Sequence, residues 1–565
     1  MSIHRTTVQM LAVATACTPL CAQFTVRASV DSKGYEANLE SGLTSLSADG
    51  RYVVFASSAT NLAPLDGNGT IDVFVRDRTT ATTELISIAL SGRAGDDLST
   101  AGDISADGRF VAFQSRAIDL TPDWDTFGDT DIFVRDRLTG TTDRITKPKT
   151  SAHSADSVSP QISGDASTIV FESWARLVPN DSDSELDLYL YDRATGVIAL
   201  VVASGVPCLS PSISADGRTL TFVSAASTLV PGDTNGVADT FLMDRTTGSI
   251  VRVSVDSNGV QGDGLTALAD LSADGRTVAL WSWASNLVPG DTNGQEDIFV
   301  HDTVAHTTSR VSVDSFGGQS NSYSERPAIS GDGRRVAFAS FASNLVPGDV
   351  NGFMDIFVHD RQTGVTELAS CNSWGVPAKD DESYAASISE DGLVIGFSSS
   401  ATNLVPGAGS HGPGAYARVL STCDPSITTY CTAKVNSLGC LPRIVATGIP
   451  SGSAVSGFVI AAEQVAPGEP GVLLYSYHGL ASAPFQGGFL CAAAPLKRSP
   501  VQFASSGGVP PCSGAYALDF NARIASGIDP SLVVGQRVWA QYWMRDSGSD
   551  PATGLTDAVT FVVCQ

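Results

Sequence analysis

Basic residues are scarce in this sequence. It has 34 Lys and Arg against 59 Asp and Glu, so its formal net charge is −25. A surface of this kind repels phosphate backbones and anionic headgroups, and we therefore expect no binding to nucleic acid or to membrane surfaces. The same surface attracts divalent cations.

Long apolar runs are missing after the first residues. No later stretch reaches the roughly 18 apolar residues that a membrane-spanning helix needs, so we expect no transmembrane segment. Near the start, His4 and Arg5 precede an apolar stretch, residues 8–16, and small residues follow. This order is typical of a secretory signal peptide, to which we assign residues 1–22. Cleavage before Cys17, which would give a lipid-modified cysteine, stays open. We expect an exported protein, whether secreted, periplasmic or at the cell surface.

Motifs of familiar catalytic chemistry are absent. The sequence contains no Gly-x-Ser-x-Gly nucleophile elbow, no His-Glu-x-x-His motif and no phosphate-binding glycine loop. It has only seven histidines. An acid and base pair of Asp or Glu residues across a central channel stays open, because such residues can lie far apart in sequence.

Cysteines avoid most of the chain. Six of the eight outside the signal segment lie in the last quarter, at Cys423, Cys431, Cys440, Cys491, Cys512 and Cys564. In an exported protein this clustering indicates disulfides, and six cysteines allow fifteen pairings. Cys208 and Cys371 stand in different repeats, and we expect buried thiols there.

Internal repetition is what the sequence has in abundance. An Asp-Gly pair or its variant recurs seven times, at intervals of 51 to 59 residues, with a Phe or Leu six residues later and a Ser eight residues later. The seven Asp residues, which number the copies one to seven, are Asp49, Asp107, Asp165, Asp216, Asp274, Asp332 and Asp391. A fixed period of this length indicates a propeller, a solenoid or another repeat array.

Each copy resolves into four short strands. In copy five, residues 267–272 and 277–282 flank Asp274-Gly275, which suits a tight two-residue hairpin. Residues 298–301 form the third strand, and residues 308–313, with alternating polar and apolar side chains, form the fourth. A four-stranded unit cannot bury both faces alone, so neighbouring units must stack.

The two ends of the repeat region favour radial stacking. Copy seven has three strands and no fourth before Cys423, whereas residues 26–32 match a fourth strand such as residues 251–257. We predict that this early strand completes the last sheet and so removes open sheet edges. The predicted fold is all-β. Residues 23–422 form a seven-bladed β-propeller, and residues 423–565 form a small, β-sandwich-like domain with disulfides.

The repeat resembles that of a known family. The segments Ser-Ala-Asp-Gly-Arg, Val-Ala-Phe and Asp-Ile-Phe-Val-x-Asp-Arg are similar to the TolB-type, WD40-like propeller repeat of bacterial periplasmic proteins. The resemblance covers roughly residues 24–420. It implies the propeller fold and no particular activity, because that repeat occurs in protein-binding scaffolds, peptidase-attached propellers and exported proteins of unknown role. The last domain weakly resembles an uncharacterised module of exported proteins from environmental bacteria.

An insert between the second and third strands carries the one pattern with evident chemistry. Its consensus in copies four to six is Asp-x-Asn-Gly-x-x-Asp, and copies one to three hold variants, including Asp181, Asp183 and Asp187 in copy three. Oxygen ligands at alternate positions, a glycine for a sharp turn and a closing carboxylate suit calcium. The candidate calcium ligands are Asp233, Asn235, Asp239, Asp291, Asn293, Asp297, Asp349, Asn351 and Asp355. A hydrogen-bonded turn, in which Asp and Asn side chains cap backbone amides, stays open as the alternative.

Three other features are interpreted as structural. The Asp-Arg pair after most third strands is expected to secure a turn. His301 and His359 share one repeat position, so packing explains them better than catalysis. Trp281 and Trp283 alternate with Ser282 and must lie on one face, where we expect packing in the core or between sheets rather than a carbohydrate platform.

These observations lead to one functional expectation and one alternative. We expect an exported, monomeric binding or scaffold propeller, stabilised by calcium, whose protein or glycan ligand docks on the face that carries the acidic inserts. The alternative is a hydrolase or lyase that acts in the central channel on a polysaccharide or peptide. Clustered carboxylates or an Arg-Tyr-His group facing the channel would favour the enzyme, and a lining of Ser, Thr and Gly would count against it.

Overall fold

The computed structural model divides into two compact units, Gln23–Leu420 and Ser421–Gln565, and the predicted signal peptide lies outside the described residues. The described residues are 24–123, 128–147, 155–373, 375–406, 412–420, 428–448, 450, 456–477, 479–505, 512–532 and 537–563. Within these ranges, no helix has the length and apolar character needed to cross a membrane.

The first unit consists of short strands joined by turns and contains no helix in its described part. In chain order the strands are β1 (Phe24–Arg27), β2 (Ser41–Leu46), β3 (Tyr52–Ser57), β4 (Asp72–Asp77), β5 (Thr82–Leu85), β6 (Ser99–Ile104), β7 (Phe110–Ser115), β8 (Asp131–Asp136), β9 (Thr141–Arg144), β10 (Ser157–Ile162), β11 (Thr168–Ser173), β12 (Asp187–Asp192), β13 (Val197–Leu200), β14 (Cys208–Ile213), β15 (Thr219–Ser224), β16 (Asp239–Asp244), β17 (Ser249–Arg252), β18 (Thr266–Leu271), β19 (Thr277–Ser282), β20 (Asp297–Asp302), β21 (Thr307–Arg310), β22 (Ser324–Ile329), β23 (Arg335–Ser340), β24 (Asp355–Asp360), β25 (Val365–Leu368), β26 (Ser383–Ile388), β27 (Val394–Ser399) and β28 (Gly414–Val419).

These strands form four-stranded antiparallel sheets, one for each copy of the repeat. In copies one to six the four strands follow one another in chain order, for example β2-β3-β4-β5. The sheet of copy seven has the order β1-β28-β27-β26, and Phe24 lies opposite Val419 and Arg27 opposite Tyr416. The early strand thus pairs where the sequence predicts, and the all-β prediction is confirmed for this unit.

Backbone hydrogen bonds link each sheet to the next and return from the last sheet to the first. All of them lie just beyond the first strands, at 2.9 to 3.2 Å. They join Ala48 N to Ala106 O, Ala106 N to Gly164 O, Asp165 N to Ala215 O, Ala215 N to Ala273 O, Ala273 N to Gly331 O, Gly331 N to Glu390 O, and Asp391 N to Ala48 O. The first strands touch along the same circuit, including β26 with β2.

The hydrophobic core lies between neighbouring sheets. Second and third strands bring aromatic rings together within a sheet, as in Phe55 and Phe74, whose centroids are 5.6 Å apart. One buried cluster joins these rings to Val394 and Ala415 of the last sheet. Most second-strand residues are buried on both faces, which is why these strands are nearly continuous apolar runs instead of alternating ones.

The second unit is also rich in strands, and it contains one short helix that the sequence did not predict. Asp519 caps that helix by accepting a hydrogen bond from the Ala522 amide. The elements are β29 (Thr428–Tyr430), β30 (Arg443–Thr447), β31 (Val459–Val465), β32 (Pro470–Ser476), β33 (Leu480–Phe485), β34 (Gly488–Ala492), β35 (Lys497–Arg498), β36 (Gln502–Phe503), β37 (Gly514–Asp519), α1 (Phe520–Ala525), β38 (Arg537–Arg545) and β39 (Thr553–Val562).

Two disulfides of the second unit are present, Cys431–Cys491 and Cys440–Cys512. Cys423 and Cys564 lie outside the described residues. The strands form a six-stranded sheet around β38 and a three-stranded sheet, β30-β31-β37, and both contribute to one apolar core. The prediction of disulfides in this part of the chain is confirmed.

Candidate functional site

The closing Asp of the insert is the first residue of the third strand in copies one to six, and it is buried in each. In five of these copies a hydroxyl fifteen residues further along donates to it. In copy five, for example, Ser312 Oγ lies 2.5 Å from Asp297 Oδ1, and Asn293 Nδ2 lies 2.8 Å from Asp297 Oδ2. The Asn293 side chain also accepts from the Gln295 amide at 3.1 Å. In copies one, four, five and six, where the insert asparagine donates to the closing Asp, the insert is therefore a hydrogen-bonded turn, as one of the two sequence interpretations proposes.

A basic residue of the fourth strand enters the insert in some copies. Arg252 Nη1 lies 3.2 Å from Asp233 Oδ1 and 3.2 Å from Asp239 Oδ2. Arg310 makes the same two contacts in copy five, and Arg144 pairs with the closing Asp of copy two. In copies four and five a guanidinium thus contacts both carboxylates that the sequence assigns to calcium. These arginines are not among the site residues predicted from the sequence.

Copy six has the same acidic residues but no arginine. The residue that faces Phe357 across the sheet is Leu368, where copies four and five have arginine. Asn351 Nδ2 lies 2.5 Å from Asp355 Oδ2, so the turn itself is formed. Burial, only partly offset by hydrogen bonds and reinforced by the charge of Asp349, raises the pKa of Asp355 to about 6. Burial also raises the pKa of Asp349.

Copy one resembles copy six. Leu85 stands at the arginine position, opposite Phe74. Burial and the neighbouring charge of Asp72 raise the pKa of Asp66 to about 6, and Asp66 Oδ2 is buried without a hydrogen-bond partner. Copy seven has lost the acids, and most of its insert lies outside the described residues.

Copy three has the most acidic insert. One carboxylate oxygen from each of Asp181, Asp183 and Asp187 lies within 4.8 Å of the others. Among the described residues, these three form the one group of His, Cys, Asp and Glu side chains close enough together to hold a metal ion. The candidate calcium ligands predicted from the sequence lie in copies four to six, and these three residues are not among them.

A cavity of about 430 Å³ lies at the axis of the first unit and is lined by residues of all seven first strands. Two of its carboxylates, Asp103 and Asp270, each accept three hydrogen bonds. Asp270 accepts from Ser212 Oγ at 2.8 Å and from the amides of Leu271 and Ile329 at 2.9 and 2.8 Å. Asp103 makes the corresponding three bonds in copies one to three. Asp103 thus links the sheets of copies one, two and three, and Asp270 links those of copies four, five and six.

The rest of the cavity lining offers little for acid–base chemistry. It includes Ser, Thr, Gly, Ala and aliphatic residues, one arginine, Arg326, and a third carboxylate, Glu390. Burial and the charge of Asp103 raise the pKa of Glu390. No His, Lys or Tyr lies in the described lining, so the carboxylates Asp103, Asp270 and Glu390 are the acid–base groups that it offers.

Two aromatic pairs and a further tyrosine stand where second strands end and first strands begin in copies five to seven. The residues are Trp281, Trp283, Tyr323, Phe341 and Tyr384, which we call the mouth patch. The two Trp rings stack with centroids 5.1 Å apart, and the rings of Tyr323 and Phe341 are 5.0 Å apart. Trp281 packs against a buried cluster formed by copies five and six, as predicted, whereas Trp283 is 40% exposed and does not follow the prediction of core packing.

Carboxylates surround these rings. Trp281 Nε1 donates to Glu296 Oε2 at 3.0 Å, and the backbone of Glu296 accepts from Ser324 of the next copy. Burial and the charges of Glu325, Glu382 and Glu296 raise the pKa of Tyr323. Burial and the charge of Glu325 also raise the pKa of Glu296, against the effect of the Trp281 hydrogen bond. The mouth patch thus combines flat apolar rings with three negative charges.

The remaining predictions for single residues agree with the structure. His301 and His359 are buried, and Nδ1 of each lies 2.9 Å from a threonine hydroxyl in the fourth strand. Asp77 forms an ion pair with Arg51 at 2.6 Å and accepts from turn amides, which secures the turn. Cys208 and Cys371 are buried free thiols.

Comparisons with known proteins give similarities of structure alone. No family model matches the chain, and no curated protein matches it. Among solved structures it is similar to TolB from Acinetobacter baumannii, at 17% identity and a TM-score of 0.31, covering 66% of this chain and 81% of that one. A putative TolB from Agrobacterium tumefaciens matches at 14% identity and a TM-score of 0.31, covering 71% and 99%. An oligogalacturonate lyase from Vibrio parahaemolyticus matches at 13% identity and a TM-score of 0.41, covering 70% and 90%. TolB, whose repeat the sequence resembles, is thus found among the similar structures.

Proposed function

We propose that this protein is an exported, monomeric binding or scaffold protein. Its first unit is a closed seven-bladed β-propeller, and its second unit is a β-sandwich-like domain. The ligand docks at the mouth patch, on the face that carries the acidic inserts. Disulfides in the second unit support export, because such bonds persist in oxidising compartments.

The observation that carries this proposal is the proximity of partly exposed aromatic rings to the carboxylates of Glu296, Glu325 and Glu382, of which Glu325 pairs with Arg326 at 3.5 Å. Tryptophan and tyrosine are enriched at the energetic centres of binding surfaces, where they bury large area with little loss of side-chain entropy. The three carboxylates near Tyr323 favour cationic groups, and a lysine or arginine can also bind over a tryptophan face. The ligand is therefore a basic segment of a protein.

The alternative, a hydrolase or lyase in the channel, has less support. Asp103 and Asp270 accept three hydrogen bonds each, and those bonds hold neighbouring sheets together. A general acid or base must exchange a proton with the substrate. The three hydrogen bonds that each of these carboxylates already accepts leave little capacity for that exchange.

We also propose that calcium stabilises the inserts that lack an arginine. Among the predicted ligands, this applies to Asp349, Asn351 and Asp355 of copy six. In copies four and five the two predicted carboxylate ligands contact Arg252 or Arg310, so one of the two negative charges in each insert is compensated without an ion.

An array of short peptides graded in net charge tests the binding function. The full chain is expected to bind more strongly as positive charge increases, with a steep dependence on salt. Trp283→Ala should weaken binding at least about tenfold, as expected for loss of an aromatic anchor. Trp174→Ala is the matched control, because Trp174 occupies the same repeat position in copy three and is 44% exposed. Binding that ignores peptide charge, or that both variants weaken equally, would contradict the proposal.

A further inference from the structure

Copy three lacks every side chain that stabilises the closing carboxylate in one or more of the other acidic inserts. Asp183 replaces the insert asparagine, so no side-chain amide donates to Asp187. Val202 stands where the other five copies place a hydroxyl, and Leu200 stands where copies four and five place an arginine. All three sources of stabilisation are therefore missing in one insert.

The carboxylate of Asp187 therefore lacks the hydrogen-bond donors and the cation that contact the closing Asp in other copies. The residue is only 3% exposed. No hydrogen bond to its carboxylate comes from any described residue. Instead, carboxylate oxygens of Asp181 and Asp183 lie within 4.8 Å of one of its own. An ionised carboxylate that is buried without a donor or a cation is strongly unfavourable, so this group must either bind a cation or take up a proton.

The two other acids of the group are held in place by the fold. Asp181 Oδ2 accepts from the Tyr189 hydroxyl at 2.5 Å, where the other acidic inserts have phenylalanine at that strand position. The Asp183 amide donates to Asp181 Oδ1 at 3.3 Å, and Asp183 Oδ1 accepts from the Glu185 amide at 3.0 Å. The Arg176 guanidinium donates to the backbone carbonyl of Asp183 and forms no ion pair with these carboxylates.

We propose that Asp181, Asp183 and Asp187 form a calcium site, which provides the cation that Arg252 and Arg310 provide in copies four and five. Two oxygens bound to one calcium at 2.3 to 2.6 Å lie at most about 5 Å apart, and the oxygens of this group are within 4.8 Å of one another. Backbone carbonyls, Glu185 and water would complete the shell. The site goes beyond the binding function proposed above and does not depend on it.

The chemistry of the group selects calcium over other metals. All three side chains offer hard carboxylate oxygens, and neither histidine nor cysteine belongs to the group, so zinc and copper are disfavoured. A loop that supplies three carboxylates from alternate positions suits the irregular, crowded shell of calcium better than the strict octahedron of magnesium, which retains several waters.

Calorimetric titration of the chelator-treated full chain with calcium tests the site. The wild type is expected to bind calcium saturably, and its melting temperature should rise with calcium. Asp187→Asn should remove one equivalent of bound calcium and should melt higher than the wild type in chelator, because the substitution relieves repulsion. A purely structural role of Asp187 would lower the melting temperature instead.

Asp297→Asn in copy five is the matched control. It removes the same closing carboxylate from an insert whose acids contact Arg310, so it should lower the melting temperature with or without calcium and leave the calcium stoichiometry unchanged. The proposal is overturned if calcium produces no saturable heat, or if Asp187→Asn binds as many equivalents as the wild type.

Terbium, a calcium substitute that luminesces when a nearby aromatic ring is excited, locates the ion. Tyr189 touches Asp181, so terbium bound here should show emission that Tyr189→Phe reduces while calcium stoichiometry is retained. Emission that is equal in wild type and Tyr189→Phe would place the ion elsewhere and contradict the assignment.

Discussion

The guanidinium of Arg310 lies 3.3 Å from the carboxylate of Asp297, inside the insert of copy five. The same nitrogen lies 3.0 Å from Asp291, so one cation serves both acids. The residue comes from the fourth strand, whose register places it opposite Phe299 at the start of the third strand. The residue at this position of the fourth strand, arginine or leucine, therefore determines whether a positive charge contacts the acids of the insert.

Replacing this arginine should make copy five behave like copies one and six. Arg310→Leu leaves two buried acids without a cation, and breaking a buried ion pair in this way lowers the free energy of unfolding by about 3–5 kcal/mol. Urea denaturation in chelator measures the loss, and calcium should recover part of it. Arg276→Leu is the control: its ion pair with Asp274 is exposed and 3.8 Å long, so the loss should be under about 1 kcal/mol. Equal losses for both variants would refute this reading of the insert.

The inserts without arginine should make stability depend on pH. The pKa of Asp66 is about 6 in the folded chain against an ordinary value of 3.8, so between these values the folded state binds a proton that the unfolded state has released. The stabilising contribution of protonated Asp66 is complete below about pH 4 and is lost as the pH rises through about 6. Asp66→Asn should reduce this loss in urea denaturation at pH 4 and pH 7 with chelator present.

The same substitution in copy four is expected to act differently. Asp233→Asn removes a carboxylate that Arg252 contacts at 3.2 Å, so this variant should be less stable than the wild type at pH 7. If Asp66→Asn were destabilising at pH 7 to the same extent, the distinction between the two kinds of insert would fail.

Asp103 and Asp270, the hydrogen-bonded carboxylates of the axial cavity, should increase the free energy of unfolding. Asp270 is enclosed by donors from three consecutive sheets, and hydrogen bonds to a buried charge contribute about 1.5–3 kcal/mol each. Asp270→Asn should lower the free energy of unfolding by at least about 3 kcal/mol, as measured by calorimetry. Asp263→Asn, which affects an exposed acceptor of Ser285, is the control and should change stability by less than about 1 kcal/mol. A stable, ligand-binding Asp270→Asn protein would contradict a structural role.

Much of the first unit could be predicted from the sequence because the pattern of each strand recurs in the seven copies of the repeat. The Asp-Gly hairpins, the apolar second strands and the early strand that pairs with β28 follow from local patterns. The arginines of the inserts could not be found in this way, since Arg310 lies thirteen residues after Asp297 and outside any contiguous motif. Comparison of the fourth strands copy by copy would have revealed the alternation of Arg and Leu at this position.

The mouth patch was harder to foresee. Its rings come from different repeat positions in different copies: Trp281 and Trp283 at the end of a second strand, Tyr323 and Tyr384 at the start of first strands. They converge because consecutive first strands stand side by side. Only the arrangement of the sheets brings them and Glu296 together.

Binding at the mouth and the axial cavity both presuppose that β1 completes the last sheet. Calorimetry and hydrogen exchange of a chain that lacks residues 24–34 test this most directly. We predict a melting temperature lower by more than about 10 °C, fast exchange of the β28 amides (Gly414–Val419), and recovery of both when a synthetic peptide of residues 24–34 is added. Unchanged melting and unchanged protection of β28 in the shortened chain would contradict the closed ring.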